Sequence, residues 1–129
     1  MPTEKKFANV PIREKLEHVA GWIEEKKGKD ILALDLTRMH TFTEGIIIVT
    51  ASSIRNAQGL ADHLLAESKE AHYEFLRMEG YQTGQWILLD MNDLVVSIFQ
   101  EDTRGLYRLE DLWKTDEPVV DTRKSASAI

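Results

Sequence analysis

The stretch Glu79–Phe99, EGYQTGQWILLDMNDLVVSIF, decides how the rest of the chain is read. Trp86–Asp90 (WILLD) and Leu94–Phe99 (LVVSIF) are apolar runs of strand length, and Met91, Asn92 and Asp93 between them supply turn chemistry. The spacing predicts a β-hairpin, entered through a glycine-containing turn over Glu79–Gln85. Trp86, Leu88 and Asp90 fall on one face of the first strand, Ile87 and Leu89 on the other. If helices cover only one face, the other presents a tryptophan and leucines rimmed by acids, the composition of a protein-binding surface. The competing reading makes Trp86 ordinary core.

Working back towards the N-terminus, Ile54 to about Ala71 carries Ala57, Leu60, Ala61, Leu64 and Leu65 at helical spacing, with Ser52 or Ser53 placed to cap it. The run Ile46–Thr50 (IIIVT) has four apolar β-branched residues in sequence and no polar face, as expected of a central strand. A strand followed by a helix suggests a βαβ crossover leading to a strand over Tyr73–Met78. Asp30–Leu36 (DILALDL) alternates as an interior strand. From Ile12, the positions Leu16, Val19, Ala20 and Ile23 form one stripe of a helix that starts near Pro11. That helix is expected to end among Lys26, Lys27 and Lys29, with Gly28 taking the left-handed cap. Beyond the hairpin, Leu106, Leu109, Leu112 and Trp113 are expected to line a short terminal helix stopped by Pro118. Residues 1–10 read as a flexible N-terminus, 11–117 as one domain and 118–129 as a flexible tail.

The chain has 129 residues and is 43% hydrophobic, enough for one domain with a core. Its 22 acidic and 16 basic residues leave a net charge of −6, which argues against broad phosphate-backbone binding, including direct DNA binding. There is no cysteine, so disulfides and thiolate metal sites are excluded. No apolar run is long enough for a membrane span, and the N-terminus lacks the apolar stretch of a signal peptide. A cytoplasmic setting is expected.

Residues arranged for chemistry are few. His18, His40, His63 and His72 have no metal-binding spacing. Asp35, Asp90 and Asp93 lie in or beside strands and are the candidate magnesium ligands, but there is no glycine-rich phosphate loop and no DxD pair. No glycine-flanked nucleophilic serine is present. The expectation is a binding protein without cofactor or metal; a nucleotide-binding enzyme using those three aspartates is the alternative.

From Lys15 to Trp113 the chain resembles the ribosomal silencing factor (RsfS or Iojap) family. The resemblance rests on ALDL at Ala33–Leu36, the run from Ile46 through ASSIR (Ala51–Arg55) into LADHLL, the Glu79–Phe99 stretch, and TRGLYRLEDLW. The last two are similar in order and spacing to the family's EGxxxGxWVLLDYGDVVVHVF and ExRxFYxLExLW patterns. Departures include Met91–Asn92–Asp93 for YGD, Ser97 for the histidine of VVVHVF, and Leu106–Tyr107 for FY. The resemblance implies a single-domain α/β fold with a mixed, about five-stranded sheet packed with helices, similar to nucleotidyltransferases but without their catalytic set. It also implies binding to the large ribosomal subunit through ribosomal protein uL14, blocking the small subunit and repressing translation. On that reading the anchors are Trp86 and Leu88 with Tyr107, Leu109 and Trp113, while Glu79, Asp90 and Asp93 meet basic residues. A homodimer that hides the same apolar patch in the free protein is a further expectation.

Overall fold

The computed structural model describes residues 7–39, 41–113 and 117–123. Helix α1 (Ile12–Glu25) begins after Pro11 and buries Leu16, Val19, Ala20 and Ile23, the stripe read from the sequence. Its end differs from expectation. Lys27, at φ 65°, is the left-handed residue, and Gly28 serves another purpose. A Cβ on Gly28 would collide with the Ile23 side chain and lie 2.9 Å from Val49 Cγ2, so glycine is required for close packing against β2.

Strand β1 (Lys29–Asp35) carries a bulge between Lys29 and Leu32, where Asp30 has φ 51°. Strand β2 (Gly45–Thr50) is buried at every position, as its β-branched run predicts. Helix α2 (Ile54–Glu70) is capped by Ser53, whose Oγ accepts from the Asn56 N–H at 2.9 Å. The next strand is shorter than expected: β3 spans only Arg77–Glu79. His72 is left-handed and the Tyr73 N–H closes the helix on the Ser68 carbonyl, so pairing starts only with Leu76 N–H donating to Asp90 O.

Strands β4 (Trp86–Asp90) and β5 (Leu94–Phe99) form the expected antiparallel hairpin, turning at Asn92 with φ 74°. The β3–β4 turn uses Gly80 at φ 82°, where a side chain would strike the Trp86 carbonyl.

The fold is α/β, a mixed sheet of order β3-β4-β5-β2-β1-β6 in which only β2 and β5 run parallel. The crossover leaving β2 through α2 therefore returns to β5 by way of β3 and β4. The sheet has six strands, not five. The sixth, β6 (Val120–Asp121), lies within the segment expected to be tail; it pairs with Ala33 and Leu32 of β1, and Val119 and Thr122 N–H groups donate to Ala33 and Ile31 carbonyls.

The expected terminal helix is broken. Helix α3 covers Glu101–Tyr107, Arg108 is left-handed at φ 46°, and a 3-10 turn follows over Leu109–Leu112. Leu106 and Leu112 point to solvent, 74% and 66% exposed, while Leu109 and Trp113 pack inward. Helices α1 and α2 cover one sheet face, above a core that includes Ile47, Ile87, Leu89, Val96 and Ile98. The opposite face carries a smaller cluster of Leu32, Leu34, Leu36, Ile46, Ile48 and Phe99.

Candidate docking face

The face opposite α1 and α2 is where the strand alternation places the expected anchors. Register puts Glu79, Leu88, Ser97, Ile48 and Leu32 in one cross-strand row, Arg77, Asp90, Val95, Ile46 and Leu34 in a second, and Trp86, Phe99 and Thr50 in a third. Across these rows lies a strap formed by α3 and the 3-10 turn. Tyr107 packs on Trp86 with the rings tilted by 47° and their centroids 4.9 Å apart, and the Trp86 ring lies 4.9 Å from Phe99. At the other end, towards the β1–β2 loop, Leu109 and Trp113 pack against the cluster, and Phe42 from that loop stands 6.3 Å from the Trp113 ring. Trp86 is thus neither plain core nor fully exposed: it is half-buried, with its indole Nε1 buried and without a hydrogen-bond partner among the described residues.

Seven of the eight expected residues meet on this face: Glu79, Trp86, Leu88 and Asp90 from the sheet, and Tyr107, Leu109 and Trp113 from the strap. The acids are not free. Arg77 Nε lies 3.5 Å from Glu79 and 3.8 Å from Asp90, and Asp90 Oδ1 accepts from the Asn92 N–H at 2.9 Å. Asp93 stands apart. Its carboxylate takes the buried Lys15 ammonium at 2.7 Å, and its carbonyl accepts from the Thr43 hydroxyl and the Glu44 and Gly45 N–H groups. It staples the hairpin turn to α1 and the β1–β2 loop. Lys15 also lies 4.8 Å from the centroid of Tyr73, whose hydroxyl is 2.6 Å from His18 Nδ1. Burial, and then the nearby Glu14 carboxylate, raise the Tyr73 phenol above its ordinary value, so it stays protonated.

The sequence reading did not single out Phe42, which is 80% exposed, or Met39 beside it. The signal was present: Phe42 is a lone aromatic in the polar segment Thr37–Gly45. Of the nine large hydrophobic side chains exposed among the described residues, five (Met39, Phe42, Leu106, Tyr107 and Leu112) belong to this loop and the strap.

The aspartates of the enzymatic alternative have structural partners. Asp35 accepts from the Thr37 N–H and hydroxyl, Asp90 from Asn92, and Asp93 from Lys15. Among the described residues no cluster of three or more histidine or carboxylate groups is arranged to hold a metal. His63 bonds Glu25 at 2.9 Å, and His40 lies outside the described residues. A cleft of about 820 Å³ opens at the carboxyl ends of β2 and β5, lined by Thr50, Ser52, Gln100 and Glu101 among others, and contains none of the three aspartates.

A family described as ribosomal silencing factor during starvation matches residues 9–128. The chain is 39% identical over 87 residues to a ribosomal silencing factor of Haemophilus influenzae, spanning 67% of this chain and 85% of that protein. It is 31% identical over 109 residues to the one of Halalkalibacterium halodurans, spanning 84% and 92%. A crystal structure of a Chromobacterium violaceum protein superposes with a TM-score of 0.74 at 29% identity, covering 91% of this chain and 98% of that one.

Proposed function

The chain belongs to the ribosomal silencing factor family, and from that premise we propose that the strap-covered sheet face docks on the large ribosomal subunit through uL14 and keeps the small subunit away. The observation that carries this reading is the gathering of five of nine exposed large hydrophobics along the strap and the β1–β2 loop. Exposed apolar groups collected on one side of a domain mark an interface, and Trp86, Tyr107, Phe42 and Trp113 are of the residue types that anchor one. The partner expected from charge is basic, since the chain carries −6, and ribosomal proteins are generally basic; the same charge repels bare RNA and disfavours wrong docking. Steric exclusion requires affinity and bulk at one place. It needs no catalytic group, in keeping with the structural partners of Asp35, Asp90 and Asp93.

Sedimentation of the purified protein with separated and with assembled ribosomes tests the proposal. The protein is expected to travel with free large subunits and to be missing from assembled particles. Comigration with assembled ribosomes contradicts exclusion. Crosslinks from the strap to a large-subunit protein other than uL14 reassign the partner.

A further inference from the structure

We propose that Arg104 positions the docking face, acting through Glu110 as a latch that holds the strap in register across the sheet; the inference rests on the docking reading above. Arg104 is 8% exposed, and its guanidinium reaches in three directions. Nη1 donates to the Asp30 carbonyl in the β1 bulge and, at 2.9 Å, to Thr50 Oγ1 at the end of β2. Nε donates to Glu110 Oε2 at 3.1 Å. The first two bonds fix α3 to the sheet. The third fixes the second half of the strap to α3, across the break at Arg108. A lysine has no planar fork with which to make these contacts together.

The latch is closed by one bond where two are available. Arg104 Nη2 and Glu110 Oε1 are both buried without a hydrogen-bond partner among the described residues. A buried charge satisfied in part leaves desolvation only partly offset, which puts the strap at the low-stability end of the molecule. Across the break Arg108 is left-handed at φ 46° and is held by its own pair, Nε donating to Asp111 Oδ2 at 2.7 Å, but both side chains are exposed and solvent screening makes that contact weak. When the latch opens, Tyr107 stays with α3 against Trp86, whereas Leu112 and Trp113 lie beyond the break and leave with the 3-10 turn. The docking surface is then cut in two. Arg104 touches the partner nowhere in this scheme; it sets whether the two aromatic ends of the face are presented together.

The test uses the full chain with Glu110→Gln and, separately, Arg104→Lys. Amide exchange is followed at Asp111 and Trp113, which donate to the Arg108 and Glu110 carbonyls, with Val96 and Ile98 of β5 as core references. Binding to purified large subunits is measured alongside. Both variants are expected to exchange about tenfold faster at the strap, as for the loss of one charge-assisted hydrogen bond. The β5 amides should be unchanged, and dissociation from the large subunit should accelerate by a similar factor. Should Arg104→Lys not fold, Glu110→Gln carries the test, because that carboxylate is at the edge of the cluster with 22% of its side chain exposed. Unchanged strap exchange overturns the latch. Faster strap exchange with unchanged dissociation overturns its role in docking. A wild-type chain that fails to bind large subunits overturns the docking reading itself, and the exchange rates still pass or fail the latch.

Discussion

Gly28 shows at the scale of one residue how a correct position can carry the wrong reason. Among lysines after a helix, a glycine reads as a left-handed cap, yet the left-handed residue is Lys27 and Gly28 is held by its contact with Ile23 and Val49. The two accounts separate by substitution. Gly28→Ala is expected to destabilise by about 2 kcal/mol through overpacking, whereas Lys27→Gly should stabilise by up to about 1 kcal/mol by relieving the left-handed strain. Denaturant melts of both variants check this; a neutral Gly28→Ala refutes the packing account. Asp93 makes a similar point. Read as a docking acid, it is the partner of Lys15, whose side chain is only 6% exposed. Asp93→Asn should cost on the order of 2 kcal/mol by leaving a buried ammonium short of a counter-charge. A variant of unchanged stability that has lost large-subunit binding would restore the docking role.

Elements differ in how far their residues announce them. The β4–β5 hairpin, α1, β2 and α2 were legible because each combines a clean period with its own boundary signal, such as Ser53 before α2 or Asn92 in the turn. The strap was not. Leu106, Leu109, Leu112 and Trp113 have helical spacing, but the helix stops at Tyr107 because Arg104 anchors to β1 and β2 while Glu110 must turn back to meet it. Long-range anchoring of Arg104, joined to its pairing with Glu110, overrides a local period. Strand β6 escaped for a related reason: two residues have no period to read, and Val120 and Asp121 are a strand only because β1 offers an open edge. The element-scale prediction concerns the β1–β2 loop. Phe42→Ser removes a side chain 80% exposed, so stability should change by less than about 0.5 kcal/mol. Affinity for large subunits should fall about tenfold or more if Phe42 is an anchor. Equal affinity for both proteins, measured by titration, removes Phe42 from the interface.

For the whole molecule, charge and layering act together. One sheet face is closed by two helices and the other by a thin strap that leaves aromatic groups outward, so the domain has one side suited to a partner. With a net charge of −6 the encounter with a basic partner should be steered. Raising salt from about 0.05 to about 0.5 M is expected to slow association roughly tenfold while changing dissociation by less than about twofold. Stopped-flow kinetics with purified large subunits reads both rates. A salt effect confined to dissociation would place the charges inside the contact instead.

The sequence by itself determined the family, the hairpin and the two principal helices, because motif order and apolar period are local properties of the chain. It also determined the pairing of Trp86, Leu88 and Asp90 on one face, since alternation along a strand is fixed by the pleat. Only the tertiary structure decided which face is covered, that Tyr107 and Trp113 sit at opposite ends of one surface, and that Asp93 is a staple. Those facts depend on contacts between residues such as Lys15 and Asp93, or Arg104 and Thr50, that lie 78 and 54 positions apart. No period or motif encodes such a distance; the closing of the core does.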